Sequence, residues 1–151
     1  MKKSRILNKQ LNDVIAGMGH GDWIIVCDAG FPIPDSVRRV DLAIQPDLPD
    51  LETVLRLISE DFITEKVYYA AEVPQYNQPL LKKVEQIFHG IELDTMPHEK
   101  LLSEAAYKAK AVVRTGAFDP YGNIILQSGV DAPKWFDKEG VLVPDAYKDK
   151  V

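Results

Sequence analysis

The sequence predicts an α/β fold: a single three-layer domain with a mixed, mainly parallel central sheet of about six strands and helices on both faces. Three observations carry this. Apolar runs of helical period alternate with short β-branched runs through most of the chain. Trp23-Ile24-Ile25-Val26-Cys27 is bulky and apolar at every position, the composition of a strand buried on both faces. At 151 residues the chain has the length of one domain, and its 46% hydrophobic and 27% charged composition is that of a globular protein.

The elements follow in order. Leu7, Leu11, Val14, Ile15 and Met18 recur at helical spacing and Gly17 and Gly19 close the segment, which predicts an amphipathic first helix. The buried strand over 23–27 comes next. In Arg39-Val40-Asp41-Leu42-Ala43-Ile44 the alternation puts Val40, Leu42 and Ile44 on one side of a second strand, ended by Pro46 and Pro49. Asp50 is placed to cap a helix reaching Glu60, with Leu51, Val54, Leu55 and Ile58 on one face. A third strand is expected over Val67 to Ala71. A helix is expected over Asn77 to Phe88, with Leu80, Leu81, Val84, Ile87 and Phe88 inward, Pro79 in its first turn and Gly90 after its end. Ile91 to Asp94 reads as a short strand, and Thr95-Met96-Pro97 leads into a helix over about His98 to Ala109. Ala111 to Thr115 and Asn123 to Gln127 are the last two strands, and so close a pair argues for a mixed sheet. Residues 1–130 make up this domain. The extension 131–151 is too short for a second one and, at Trp135, Phe136 and Val141 to Val143, too apolar for a free tail, so it is expected to pack on the domain or on a neighbouring subunit.

Bulk properties exclude several functions. A net charge of −5, with no basic run denser than Arg38-Arg39 or Lys82-Lys83, argues against nucleic acid. The charged start Met1-Lys2-Lys3-Ser4-Arg5 lacks a following apolar core, so no signal peptide is expected, and no apolar run reaches membrane-spanning length. A single cysteine rules out an intramolecular disulfide and suits a cytoplasmic location; mid-strand, Cys27 reads as a small buried hydrophobe. Neither a phosphate loop nor a dinucleotide fingerprint is present.

The residues suited to chemistry gather around 18–34. Asp28 falls where the buried strand stops, the edge of an open α/β sheet at which ligands collect, and Pro32 and Pro34 stiffen the loop that follows. His20 precedes the same strand. Five residues at about 3.3 Å each set His20 and Asp28 roughly 16 Å apart, too far for one monosaccharide to bridge within one chain. Gly19 and Gly21 read equally as a helix cap and a turn that leave His20 exposed and idle. His98 stands at a helix start, where a neutral ring would serve as base or acceptor, while His89 sits beside a helix-ending glycine. His20, Asp22, Asp28 and His98 can be drawn as a metal site, but paired ligands at helical spacing are absent and no metal is expected.

Three blocks carry a resemblance: Gly19-His20-Gly21-Asp22, Cys27-Asp28-Ala29-Gly30-Phe31-Pro32-Ile33-Pro34 and Tyr121-Gly122-Asn123-Ile124-Ile125-Leu126. In that order they resemble G-H-x-D, C-D-A-G-x-P-I-P and Y-[AG]-N-I-[IL]-L of the D-ribose pyranase and L-fucose mutarotase family, over roughly residues 1–130. The resemblance implies His20 as the proton-transferring residue, Asp28, His98, Tyr121, Gly122 and Asn123 at the sugar, and ring-shaped oligomers, usually decamers, with sites between subunits. It leans to the ribose branch, although Gly122 is more usual in fucose mutarotases, Ala117 stands where the family has glutamate, and the tail runs on past the family's end.

The residue types suit that chemistry by themselves. A carboxylate accepts two hydroxyls, an amide donates and accepts, and a tyrosine offers a ring face. Opening a cyclic hemiacetal needs one proton delivered and one removed, the work of a histidine near neutral pH, without metal or other cofactor. The expected activity is interconversion of the cyclic forms of a free monosaccharide, pyranose and furanose forms of D-ribose first, anomers of an L-fucose-like sugar second. A non-catalytic sugar-binding or transport-accessory protein and a small metal-dependent hydrolase or lyase are the rivals.

Overall fold

The computed structural model describes residues 2–151. Six strands form one sheet in the order β2-β5-β1-β6-β3-β4, where β1 is Trp23–Cys27, β2 Arg39–Asp41, β3 Thr64–Ala70, β4 Glu92–Met96, β5 Ala111–Arg114 and β6 Ile124–Ser128. β6 runs antiparallel to both of its neighbours, β1 and β3; all other pairings are parallel. The mixed, mainly parallel sheet is therefore as expected, with one difference in pairing. β5 and β6 are not partners. β1 lies between them, because a strand apolar on both faces is most stable at the centre of the sheet, with a neighbour on each edge.

Alternation along β1 divides the core into two layers. Ile24 and Val26 join Val113, Ile124 and Leu126 on one face, packed by helices α1 (Lys9–Ala16), α2 (Leu51–Asp61) and α4 (Gln78–Ile87). Trp23, Ile25 and Cys27 point to the other face with Val112 and Ile125, covered by Leu101, Ala105 and Ala106 of helix α5. α5 starts as His98–Lys100, widens into a π-helical stretch, Leu101–Ala105, and ends as Ala106–Lys108. Fully buried Ile24, Ile25, Leu55 and Ile58 each contribute about 1.5–3 kcal/mol by leaving water.

Side-chain caps set the helix starts. Asn8 accepts from the Leu11 N–H, Asp50 from Thr53, and Asn77 from Leu80. Leu7 precedes the first cap and is exposed, so the buried stripe of α1 is Leu11 and Val14. Asn77 caps α4 instead of opening it, because a short helix α3, Val73–Tyr76, comes before. The second strand stops at Asp41 and Ile44 is 78% exposed, contrary to the alternation reading: Ala43 N–H turns back to the Asp41 carboxylate, and the chain leaves the sheet. β3 begins earlier than expected, at Thr64, and β4 reaches further, to Met96. In the extension, α6 (Ala132–Phe136) and a 3₁₀ turn, Asp145–Lys150, meet through the Phe136 and Tyr147 rings, 5.3 Å apart. Trp135 and Leu142 are exposed, and Lys150 pairs with Glu65 of β3.

Candidate functional site at the carboxyl edge of the central strand

Asp28 follows the last residue of β1, and three bonds fix the loop it begins. Its Oδ1 accepts the Gly30 N–H at 2.7 Å, the Ala29 N–H donates to Ala117 O at 2.9 Å, and Arg114 Nε donates to Ala29 O at 3.1 Å. Arg114 is itself held by both oxygens of Asp41, at 3.1 and 3.2 Å. A loop tied at each residue holds a carboxylate in place with little entropy left to lose on binding.

The loop between β5 and β6 passes over the same edge. Gly122 N–H closes a turn onto Asp119 O at 2.9 Å, and Tyr121 is held at φ 60°, a left-handed conformation that costs a non-glycine residue on the order of 1 kcal/mol. Gly122 is required here, since a Cβ would lie 2.7 Å from Asp119 O and 3.4 Å from Asp28 Cβ. Asn123, buried, accepts the Asp28 N–H at 3.3 Å. Asn77 fixes the loop from below through Asp119 Oδ1 at 2.6 Å and Pro120 O at 2.8 Å.

His98 arrives from the start of α5. The Glu72 carboxylate accepts its backbone N–H at 3.1 Å, and its ring stands edge-on to Tyr121 with centroids 5.0 Å apart. His98 Nδ1 is buried and has no hydrogen-bond partner among the described residues, a deficit that collects at functional sites. The Tyr76 ring lies 6.0 Å beyond Tyr121. Burial raises the Asp28 carboxyl above its ordinary range, opposed by the Gly30 N–H, the Asn123 side chain and the nearby His98. An open depression of about 330 Å³ adjoins Asp28, lined by Ala117, Phe118, Asp119 and Pro120. Phe118 is 69% exposed at its rim.

Five residues singled out in the sequence, Asp28, His98, Tyr121, Gly122 and Asn123, thus share one edge. His20 does not join them. It lies at the opposite end of β1, exposed, on a turn tied to β6 by Gly21 N–H to Ser128 O at 2.8 Å, and its Nε2 is 2.8 Å from Glu65 Oε2. Cys27 is fully buried and burial pushes its thiol pKa far up, away from any nucleophilic role. Among the described residues no three His, Cys, Asp or Glu side chains converge as a metal would require, and no helix is long and apolar enough to cross a membrane. Sequence reading missed Glu72, Asn77, Arg114 and Glu65. Each acts across the fold on a partner more than 25 positions away, and only the Asn77 cap left a local signal.

Residues 1–131 match the RbsD / FucU transport protein family. The chain is 56% identical over 150 residues to D-ribose pyranase 2 of Rubrobacter xylanophilus, covering 99% of this chain and 97% of that protein. It is 51% identical over 151 residues to D-ribose pyranase 1 of Streptomyces griseus, covering both in full. Among solved structures, Bacillus subtilis RbsD complexed with D-ribose superposes with a TM-score of 0.82 at 42% identity, covering 86% of this chain and 98% of that one. The Rubrobacter and Streptomyces proteins match through the C-terminal extension, which the family match leaves out.

Proposed function

The chain belongs to the RbsD / FucU family, and from that premise we propose that it is a cofactor-free isomerase interconverting the pyranose and furanose forms of free D-ribose. One observation carries the reading beyond the family: Asp28, His98, Tyr121 and Asn123, on three separate segments, converge beside an open depression at the carboxyl edge of the central strand. These groups supply a charged acceptor, an amide and an aromatic face, the set a polyhydroxylated ring needs.

In the proposed mechanism a base takes the proton of the anomeric hydroxyl while an acid protonates the ring oxygen. The bond between ring oxygen and anomeric carbon breaks, giving the open aldehyde. A different hydroxyl then adds to the carbonyl carbon, passing its proton on as the new hemiacetal oxygen gains one. No carbon-bound hydrogen moves and no electrons leave the sugar. His20 is the proton-transferring group, and it reaches the sugar from a neighbouring subunit, since β1 separates it from Asp28 by roughly 16 Å in its own chain. Phe118 (69% exposed) at the rim of the depression and Ile44 (78%), which lines a second hollow that Phe118 also borders, are exposed apolar side chains that support a subunit contact there. A decameric ring, as the family resemblance implies, meets that requirement.

The test is exchange NMR on D-ribose, with L-fucose and D-galactose for comparison. Wild-type protein is expected to speed exchange between pyranose and furanose signals of ribose, and His20→Ala, with unaltered circular dichroism, to abolish it. Full exchange by His20→Ala would overturn the assignment, and faster exchange of fucose anomers than of ribose ring forms would transfer the substrate to the other branch.

A further inference from the structure

Glu65 lies at an irregularity in β3. Thr64 pairs with Ser128 and Lys66 with Gln127, so Glu65 is an extra residue against β6. A bulge of this kind re-aims a side chain, and such bulges are frequent beside active sites. Here it turns the carboxylate toward the turn that carries His20. That turn is fastened to the same point of β6, through Gly21 N–H to Ser128 O and Ser128 N–H to Asp22 O, both 2.8 Å. Gly129 leaves the space: a Cβ there would come within 3.0 Å of Glu65 Cβ. The two carboxylate oxygens then have different partners, Oε2 facing His20 Nε2 at 2.8 Å and Oε1 taken by Lys150 of the C-terminal extension.

We propose that Glu65 is the positioning residue of His20, and that the extension beyond residue 131 is a strap whose Lys150 holds and partly neutralises that carboxylate. This rests on His20 being the proton-transferring group. An ionised carboxylate only accepts, so the neutral imidazole must donate Nε2–H to it, leaving Nδ1 as the lone-pair nitrogen for substrate. Lys150 and, more weakly, His20 hold the Glu65 carboxyl below its ordinary range against its partial burial. The other charges around the pair are committed elsewhere or more distant. Lys66 binds Glu92 and Asp94 at 2.7 and 2.9 Å, Asp22 accepts the Gly19 N–H at 2.9 Å with Lys110 at 3.7 Å, and Asp149 borders the adjacent cavity of about 430 Å³.

The experiment measures ribose exchange from pH 5 to pH 8 in full-length wild type, His20→Ala, Glu65→Gln and Lys150→Met. Glu65→Gln is expected to lower the exchange rate roughly 10-fold at saturating sugar with unchanged KM, the scale at which second-layer partners act. Without the anion that favours imidazolium, its acid limb should move to lower pH. Lys150→Met leaves the same anion uncompensated, so its limb should move the opposite way, to higher pH. Opposite displacements support the proposal. If His20→Ala is inactive while both other variants keep the wild-type rate and limb, Glu65 and Lys150 form only a surface ion pair and the proposal is overturned. If His20→Ala is active, it is the assignment of His20 that fails. Lys150 is exposed and reports even if Glu65→Gln folds poorly.

Discussion

Asp28→Asn separates binding from stability. Oδ1 is engaged by the Gly30 N–H at 2.7 Å and Asp28 lines the depression, so on the proposed reading Oδ2 is the acceptor for sugar hydroxyls. Asparagine keeps its Oδ1 on Gly30 and presents an amide NH₂ in place of Oδ2. A charge-assisted bond gives way to a neutral one, a difference of about 1–2 kcal/mol and a loss in ribose affinity of roughly 5- to 30-fold. Stability should move the other way. Burial raises the folded-state pKa of Asp28, so the native chain binds this proton more tightly than the unfolded chain. The group's contribution is full below its unfolded pKa and is lost as pH rises through the folded one. At pH 7 the ionised carboxylate is therefore a net cost that the amide removes. Ribose titration by NMR and thermal melts at pH 7 and pH 3 provide the check. Unchanged affinity would reduce Asp28 to a loop cap. A midpoint lowered at pH 7 but not at pH 3 would refute the electrostatic reasoning, because it would mean that the charge stabilises the fold.

Three further outcomes are expected. Activity should fall on acidification between about pH 8 and pH 5 as imidazoles gain protons; at the acid end protonation of Asp28 removes an acceptor, and the raised pKa brings that loss to a higher pH than for an ordinary carboxylate. A flat profile would exclude histidine catalysis. His20→Ala and Asn123→Ala, each inactive alone, should regain about a quarter of wild-type activity when unfolded and refolded together, if subunits assort at random and each site draws on two chains; mixed oligomers without activity would assign each site to a single chain. Gly116→Ala should lower the thermal midpoint, because its Cβ would lie 2.4 and 2.6 Å from the Gln45 and Leu48 carbonyl oxygens, and forced overpacking costs about 1–3 kcal/mol; an unchanged melt would show that the 45–48 loop yields.

What the sequence disclosed and what it hid follow from the range of the forces involved. β1 was legible to the residue because five successive apolar side chains leave few other solutions, and the α2 start was legible because Asp50 caps three residues away. Strand pairing was not. Only nine residues of loop, 115–123, separate β5 and β6, yet β1 inserts between them, since the burial of a distant strand outweighs the nearness of a local one. Ile44 fits the alternation of β2 and still leaves the sheet, drawn off by the Ala43 to Asp41 bond. Asp28 could be placed at the sheet edge from its position alone. That Asn123 would meet it, with His98 against Tyr121, followed from family motifs and not from spacing.

The division of groups between the ends of β1 bears most on how such a molecule could work. Every residue of β1 is buried, and Ile24, Ile25 and Val26 are paired on both edges, so the strand can neither bend nor slide enough to bring its ends together without opening both core layers. Each end is also anchored independently. Asp28 is tied through Gly30, Asn123 and the Arg114 braced loop, and His20 through the β6 end and Glu65. If both ends belong to one site, as proposed, they cannot meet within a subunit, but a head-to-tail arrangement of identical subunits would bring every such pair together at once, and a closed ring would leave none unmatched. On the proposed reading, assembly would then be a condition of catalysis, and dilution to the monomer should abolish exchange while each chain remains folded.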